Sequence, residues 1–313
     1  MKNTEIYILS GFLGSGKTTL LKRLLEDERS RGRKTAVMMN ELGKVSIDSE
    51  AARDEDVALT ELLGGCICCS IQDKLEAQLQ GLLVNDRPEV IYIETTGAAH
   101  PVEVLDAILS PLFADQFTIK GIVTTVDGLR WRDRQVLSPQ IHQLLVEQVR
   151  HADFILINKM DELSESEQSQ IIFEIQGINS VARCLLTSFS QVSIDELRKL
   201  TLSFDKKTSS SFSKTALNLT TFVYQFQGPI SHTGFEGFLK DLPERIYRIK
   251  GYVKFDPSSK PYLFQYSYGM PFYMKEEMNL PLNLVLIGEN VHWSEIEEKL
   301  KKLENDFKIQ IEK

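Results

Sequence analysis

Residues 11–18 read GFLGSGKT, a match to G-x-x-x-x-G-K-[ST] that directly follows the apolar run EIYILS and opens the helix-like run TTLLKRLLEDERSR. Glycines let a backbone wrap close to an anion, and the helix behind them aims unpaired N–H groups and the positive end of its dipole at it. Such a loop works only where a buried strand delivers it to a helix N-terminus, so the chain is expected to begin as an α/β domain. Within it Gly11, Gly14, Ser15, Gly16 and Thr19 belong to the phosphate cradle. Lys17 is expected to reach the β- and γ-phosphates of a nucleotide and Thr18 to ligate Mg²⁺.

The next two hundred residues extend this pattern. TAVMMN, VIYIET, IKGIVTTVD and DFILIN are nearly continuous in apolar residues, and IQDKLEAQLQGLLV and PQIHQLLVEQVRHA read as helices between them. Strands without polar alternation are buried on both faces, which predicts a mostly parallel, doubly wound sheet. At DKKTSSSFSKTA the texture changes to a polar, Ser-rich linker. Beyond it lie strand-like LNLTTFVYQF, YRIKGYVKF, YLFQYSY and LNLVLIG, a helix in TGFEGFLKDLPERI that breaks near Pro243, and a charged terminal helix, WSEIEEKLKKLEND. The expected division is a P-loop domain at 1–205, a linker at 206–216 and a smaller α+β domain at 217–313.

A net charge of −8 argues against nucleic acid and anionic membranes as partners, since both demand a basic face. No apolar run approaches a membrane span, and MKNTEIYILSGF reads as a first strand rather than an export signal. The expected compartment is the cytoplasm, where clustered thiols are metal-binding or reactive before they are disulfides.

Two further strand ends carry chemistry. VIYIETTG places Glu94 where a carboxylate can hold Mg²⁺ or its water, and Gly97 where an N–H can meet a γ-phosphate. FILINKMD places Asn158, Lys159 and Asp161 in an N-K-x-D pattern resembling the guanine-reading motif of GTPases. An Asp there accepts from the guanine N1–H and 2-amino groups, which adenine lacks. The expected nucleotide is GTP.

Three of the four cysteines, Cys66, Cys68 and Cys69, fall in GGCICCS, ahead of a helix whose N-terminus favours thiolate. Clustered thiolates suit zinc (Zn²⁺) and similar borderline metals, and Glu41, Asp48, His100 or water could complete a tetrahedral shell. A redox-reactive thiol cluster is the alternative. Cys184 reads as a small core residue, and the aromatic run YLFQYSYGMPFY as sheet packing.

In order and spacing, GFLGSGKTTLL, NELGKVSID, GGCICCS, ETTGAAHP and NKMD resemble the CobW-like metal-chaperone GTPases, including the zinc-regulated GTPase metalloprotein activators. RIYRIKGYVKF is similar to that family's R-x-K-G segment, so the resemblance covers both domains. It implies a Mg²⁺-dependent GTPase whose C-x-C-C loop binds zinc, or in some members cobalt (Co²⁺), and passes it to a client metalloprotein. Lys44 stands where many members carry Glu, and the linker lacks the His-rich stretch many carry. Asp48 and Glu41 are both candidates to position the attacking water or ligate a metal. A nucleotide-gated zinc sensor or scaffold, or a P-loop small-molecule kinase, remain the alternative functions, and monomer and homodimer are both open.

Overall fold

The structure, a computed structural model, describes residues 3–39, 57–61, 71–98, 104–105, 108–113, 116–198, 220–267, 269–288 and 291–311. The linker expected at 206–216 lies outside them. The chain forms two compact units, gathered chiefly from Met1–Ile108 with Gln116–Ser203, and from Leu109–Asp115 with Leu219–Lys313.

Among the described residues the first unit is built on seven strands: β1 (Thr4–Ser10), β2 (Thr35–Met39), β3 (Val57–Glu61), β4 (Val90–Glu94), β5 (Phe117–Asp127), β6 (Phe154–Asn158) and β7 (Arg183–Leu186). They lie in the order β3-β2-β4-β1-β5-β6-β7, and every pairing is parallel. β2, β4 and β6 are buried at every position, as coverage of both sheet faces requires. Among the described residues its helices include α1 (Lys17–Ser30), α2 (Ile71–Asn85), α3 (Gly128–Arg132), α4 (Pro139–Arg150), α5 (Glu165–Ile178) and α6 (Ile194–Arg198). Leu20, Leu21 and Leu24 of α1 pack with Tyr7, Val37 and Tyr92 in one apolar cluster, and Val149, Ile171 and Ile175 pack with Ile155, Ile157 and Trp131 in another.

One polar network fixes α1, and with it the loop that feeds it. Glu28 on α1 is 1% exposed, yet it accepts from Tyr92 Oη at 2.6 Å and pairs with Arg198 of α6 at 2.9 Å and Arg33 at 3.4 Å. Arg198 also pairs with Asp27, the residue before it. A buried carboxylate survives only with such partners, so the network specifies the seating of α1 and α6 on the sheet.

Asp153, just before β6, presents a different case. It is buried, accepts one hydrogen bond from Ile122 N at 2.7 Å, and burial pushes its pKa from 3.8 up to about 8. A carboxyl whose pKa is raised by folding supports the fold below its ordinary value, and that support is lost as pH rises through the folded value. Stability of the native chain should therefore fall relative to Asp153→Asn between about pH 4 and pH 8, because Asn keeps the acceptor and removes the titration. Parallel denaturation curves for the two proteins across that window would contradict this.

The second unit holds β8 (Thr220–Gln225), α7 (His232–Lys240), β9 (Ile246–Val253), β10 (Tyr262–Ser267), β11 (Met270–Lys275), β12 (Asn283–Gly288) and α8 (Trp293–Ile311). Its strands pair antiparallel in the order β11-β10-β9-β12-β8. Phe235 and Phe238 of α7 and Ile296 and Leu300 of α8 pack with Ile249, Phe264, Leu284 and Leu286 of the sheet. Asn283 Nδ2 donates to Pro111 O at 2.9 Å, so a short segment from the first half of the chain joins this unit. Within YLFQYSYGMPFY, Phe264 is in the core and Tyr273 half-buried against it, whereas Phe272 is 55% exposed. Among the described residues no helix is long and apolar enough to cross a membrane.

Candidate functional site

The Gly-rich loop leaves β1 at Ser10 and enters α1 at Lys17, between the C-terminal ends of β4 and β5. Crevices at this edge of an open parallel sheet are where such folds bind ligands. Gly11 and Ser15 are buried, while Gly14 and Thr19 are exposed. Gly11 and Gly16 both admit no side chain: a Cβ at Gly11 (φ +131°) would lie 2.2 Å from Thr125 O, and Gly16 is as tightly enclosed. Its φ of +111° disfavours any L residue, and a Cβ there would lie 2.4 Å from Asn158 Nδ2 and 2.5 Å from Ser190 Oγ.

Lys17 is 6% exposed, and its Nζ donates to the loop carbonyls of Gly11 at 2.8 Å and Phe12 at 3.2 Å. Burial lowers its pKa, with the nearby Glu94 carboxylate acting in the opposite direction. Thr18 Oγ1 donates to Glu94 Oε1 at 2.9 Å. Burial raises the pKa of Glu94, against the Thr18 hydrogen bond and the charge of Lys17. Its second oxygen, Oε2, is buried and has no hydrogen-bond partner among the described residues. A hydroxyl and a carboxylate with an unsatisfied buried oxygen form a donor set that suits a hard cation such as Mg²⁺.

The three N-K-x-D residues divide their work. Asn158 is 4% exposed and acts as a strut: Nδ2 donates to Ser15 O at 2.9 Å and Ser190 Oγ at 3.2 Å, and Oδ1 accepts from Ser190 N at 3.0 Å. Ser190 Oγ in turn donates to Gly16 O at 3.1 Å. Lys159, at φ +62°, donates from Nζ to Asp127 Oδ2 at 2.5 Å, and Asp127 caps α3 by accepting from Arg130 N at 3.1 Å. Asp161 is exposed, with its backbone N–H donating to Ser188 Oγ at 3.3 Å, which leaves its carboxylate facing solvent.

Ser190, Asp127 and Thr125, whose Oγ1 lies 2.6 Å from Ser15 Oγ, were not singled out in the sequence. Asp127 had a legible signal, since TTVD ends a buried strand as VIYIE does. Ser190 had none, because the short strand β7 before it, RCLL, is at most half-buried and shows no periodicity.

Glu41, Asp48, His100 and the thiols of Cys66, Cys68 and Cys69 lie outside the described residues, as do Lys44 and Ser70. The strand that leads to the cysteines is described, however. β3 ends at Glu61, which pairs with Met39 of β2, and Met39 pairs with Glu94 of β4. The segment bearing the thiols therefore starts level with Glu94, two strand spacings or about 10 Å away. Cys184 is a half-buried thiol packed at the edge of the Ile155 cluster, and burial raises its pKa.

The CobW/HypB/UreG nucleotide-binding domain family matches residues 5–185, and the cobalamin synthesis protein cobW C-terminal domain matches residues 219–304. The chain is 36% identical over 174 residues to the Escherichia coli zinc chaperone YjiA, a match covering 54% of this chain and 53% of that protein. The chain thus spans about half the length of relatives such as this one and the E. coli zinc chaperone YeiR. A longer match, 28% identical over 346 residues, covers 92% of this chain and 82% of zinc-regulated GTPase metalloprotein activator 1 of Schizosaccharomyces pombe. Among solved structures, Zn(II)-bound YjiA GTPase from E. coli superposes with a TM-score of 0.50 at 22% identity, covering 97% of this chain and 99% of that one. With the phosphate-loop architecture and both domain matches in place, the chain belongs to the CobW family of CobW/HypB/UreG-type nucleotide-binding proteins and has the P-loop GTPase fold with a separate antiparallel-sheet C-terminal domain.

Proposed function

We propose that the protein is a GTP-hydrolysing metallochaperone. In this reading it carries zinc, or a similar metal such as cobalt, on Cys66, Cys68 and Cys69 and delivers it to a client metalloprotein. Residues 1–205 would form the GTPase domain and 217–313 the CobW-type domain, joined by the linker at 206–216. The observation that carries the nucleotide half is the Thr18–Glu94 pair beside the phosphate loop, with Glu94 Oε2 buried and unsatisfied. Thr18 and Glu94 would hold Mg²⁺, which when bound neutralises charge on the phosphates. Lys17, whose Nζ lies against the loop carbonyls of Gly11 and Phe12, would meet the phosphate oxygens. Asp161 would select guanine, Gly97 would donate its N–H to the γ-phosphate, and Asp48 or Glu41 would orient water. Catalysis of this kind is mostly positioning and charge stabilisation.

The metal half is supported by register. The thiol-bearing segment and the segment holding Glu41 and Asp48 both leave the sheet level with Glu94, at the ends of β3 and β2. A γ-phosphate that orders one of these segments acts on its neighbour, as in other nucleotide switches. The expected result is a zinc affinity that differs at least tenfold, about 1.4 kcal/mol, between GDP-loaded protein and protein holding a non-hydrolysable GTP analogue with Mg²⁺. Chelator competition measures this, and equal affinities would remove the coupling on which the chaperone reading depends. Transfer of zinc to an acceptor protein only when GTP is present would separate a chaperone from a sensor or scaffold.

A further inference from the structure

We infer that Gln148 is a positioning residue for Gly97, holding that glycine's backbone against the phosphate loop so that the site favours a nucleoside triphosphate over a diphosphate and turns it over. The inference rests on the nucleotide reading above. Gln148 projects from α4 and is 1% exposed, and its Nε2 donates to the Gly97 carbonyl at 3.1 Å. Its own backbone carbonyl accepts from Thr124 Oγ1 of β5 at 3.1 Å, so the residue is anchored to the sheet behind it. On the other side Gly97 abuts the loop itself: a Cβ at Gly97 would lie 2.5 Å from Leu13 N. The glycine is thereby gripped between a buried amide and the phosphate loop.

The physical argument has two parts. Glycine has the widest backbone freedom of any residue, and an N–H meant for a terminal phosphate contributes to catalysis only if its direction is set beforehand. Gln148, moreover, lines a cavity with Phe12, Trp131 and Leu145 and with the polar Asp127 and Arg130, and burying its amide costs free energy unless the amide is hydrogen-bonded. The Gly97 carbonyl supplies such a bond to its Nε2. A diphosphate has no group for Gly97 to meet, so the effect of Gln148 falls on the triphosphate alone.

The test is Gln148→Met, which keeps length and volume and removes the donor, with Gln148→Glu as a second variant of the same length. Affinities for GDP and for a non-hydrolysable GTP analogue are measured on the same protein sample, together with single-turnover hydrolysis. The ratio of the two affinities is independent of any misfolded fraction. Expected are an unchanged GDP affinity and, for both the analogue affinity and kcat, a fall of about tenfold, the scale of one lost positioning hydrogen bond. If both variants keep the native ratio and kcat, Gln148 is a structural residue and the inference is overturned while the nucleotide reading stands. A native protein that binds neither guanine nucleotide would overturn both.

Discussion

Lys17→Ala is expected to reduce GTP hydrolysis by at least about a hundredfold, the loss typical of removing one preorganised charge-stabilising donor, while leaving the ligand-free fold intact. The second half of that expectation comes from the structure. Lys17 is nearly fully buried, and burial already lowers its pKa, so the protein without nucleotide holds this ammonium at a cost that two loop carbonyls and the charge of Glu94 offset in part. Alanine is also a strong former of the first helical turn in which Lys17 sits. The melting temperature of ligand-free variant should therefore match or exceed that of the native chain, as befits a residue placed for function rather than stability. Single-turnover hydrolysis and thermal denaturation on the same preparations measure both halves. Retained turnover would refute the assignment of Lys17 to the phosphates.

Replacing Cys66, Cys68 and Cys69 together by Ala is expected to abolish tight zinc binding and to leave the GTP affinity of the metal-free protein nearly unchanged. Zinc affinity at thiolate sites is dominated by the sulfur ligands, and no described residues offer a substitute cluster of three His, Cys, Asp or Glu side chains. The phosphate loop, by contrast, is held by Asn158, Ser190 and Thr125, all on strands or loops on the far side of β1 from β3. Metal titration by chelator competition, beside nucleotide titration, would show the two affinities separating. A triple variant that still bound one zinc tightly would mean that the metal site lies elsewhere.

The central strands were legible because burial on both faces removes polar alternation, so EIYILS, TAVMMN, VIYIET, IKGIVTTVD and DFILIN stand out from any neighbouring helix. β3 and β7 were not. VALTE carries polar residues in a short run, and RCLL is a four-residue strand on the opposite flank, at most half-buried. β7 at its flank is covered less completely, and its sequence loses the apolar signature accordingly. β11 is also an outer strand, but its MPFYMK sequence is apolar and Met270, Phe272 and Met274 are exposed.

From its sequence alone the chain had determined a phosphate loop between a buried strand and a helix, an N-K-x-D motif at a later strand end, and three thiols ahead of a further helix. These are local patterns, fixed by residue types at short spacing. What only the tertiary structure decided is which of these residues meet. Asn158, which the motif alone would set beside a base, is buried as a brace between Ser15 and Ser190. Gln148 reaches Gly97 from 51 residues along the chain. Register across β3, β2 and β4 brings the start of the cysteine segment level with Glu94. Side chains distant in sequence become neighbours through strand order and register, and those follow from how the whole sheet is buried rather than from any one segment.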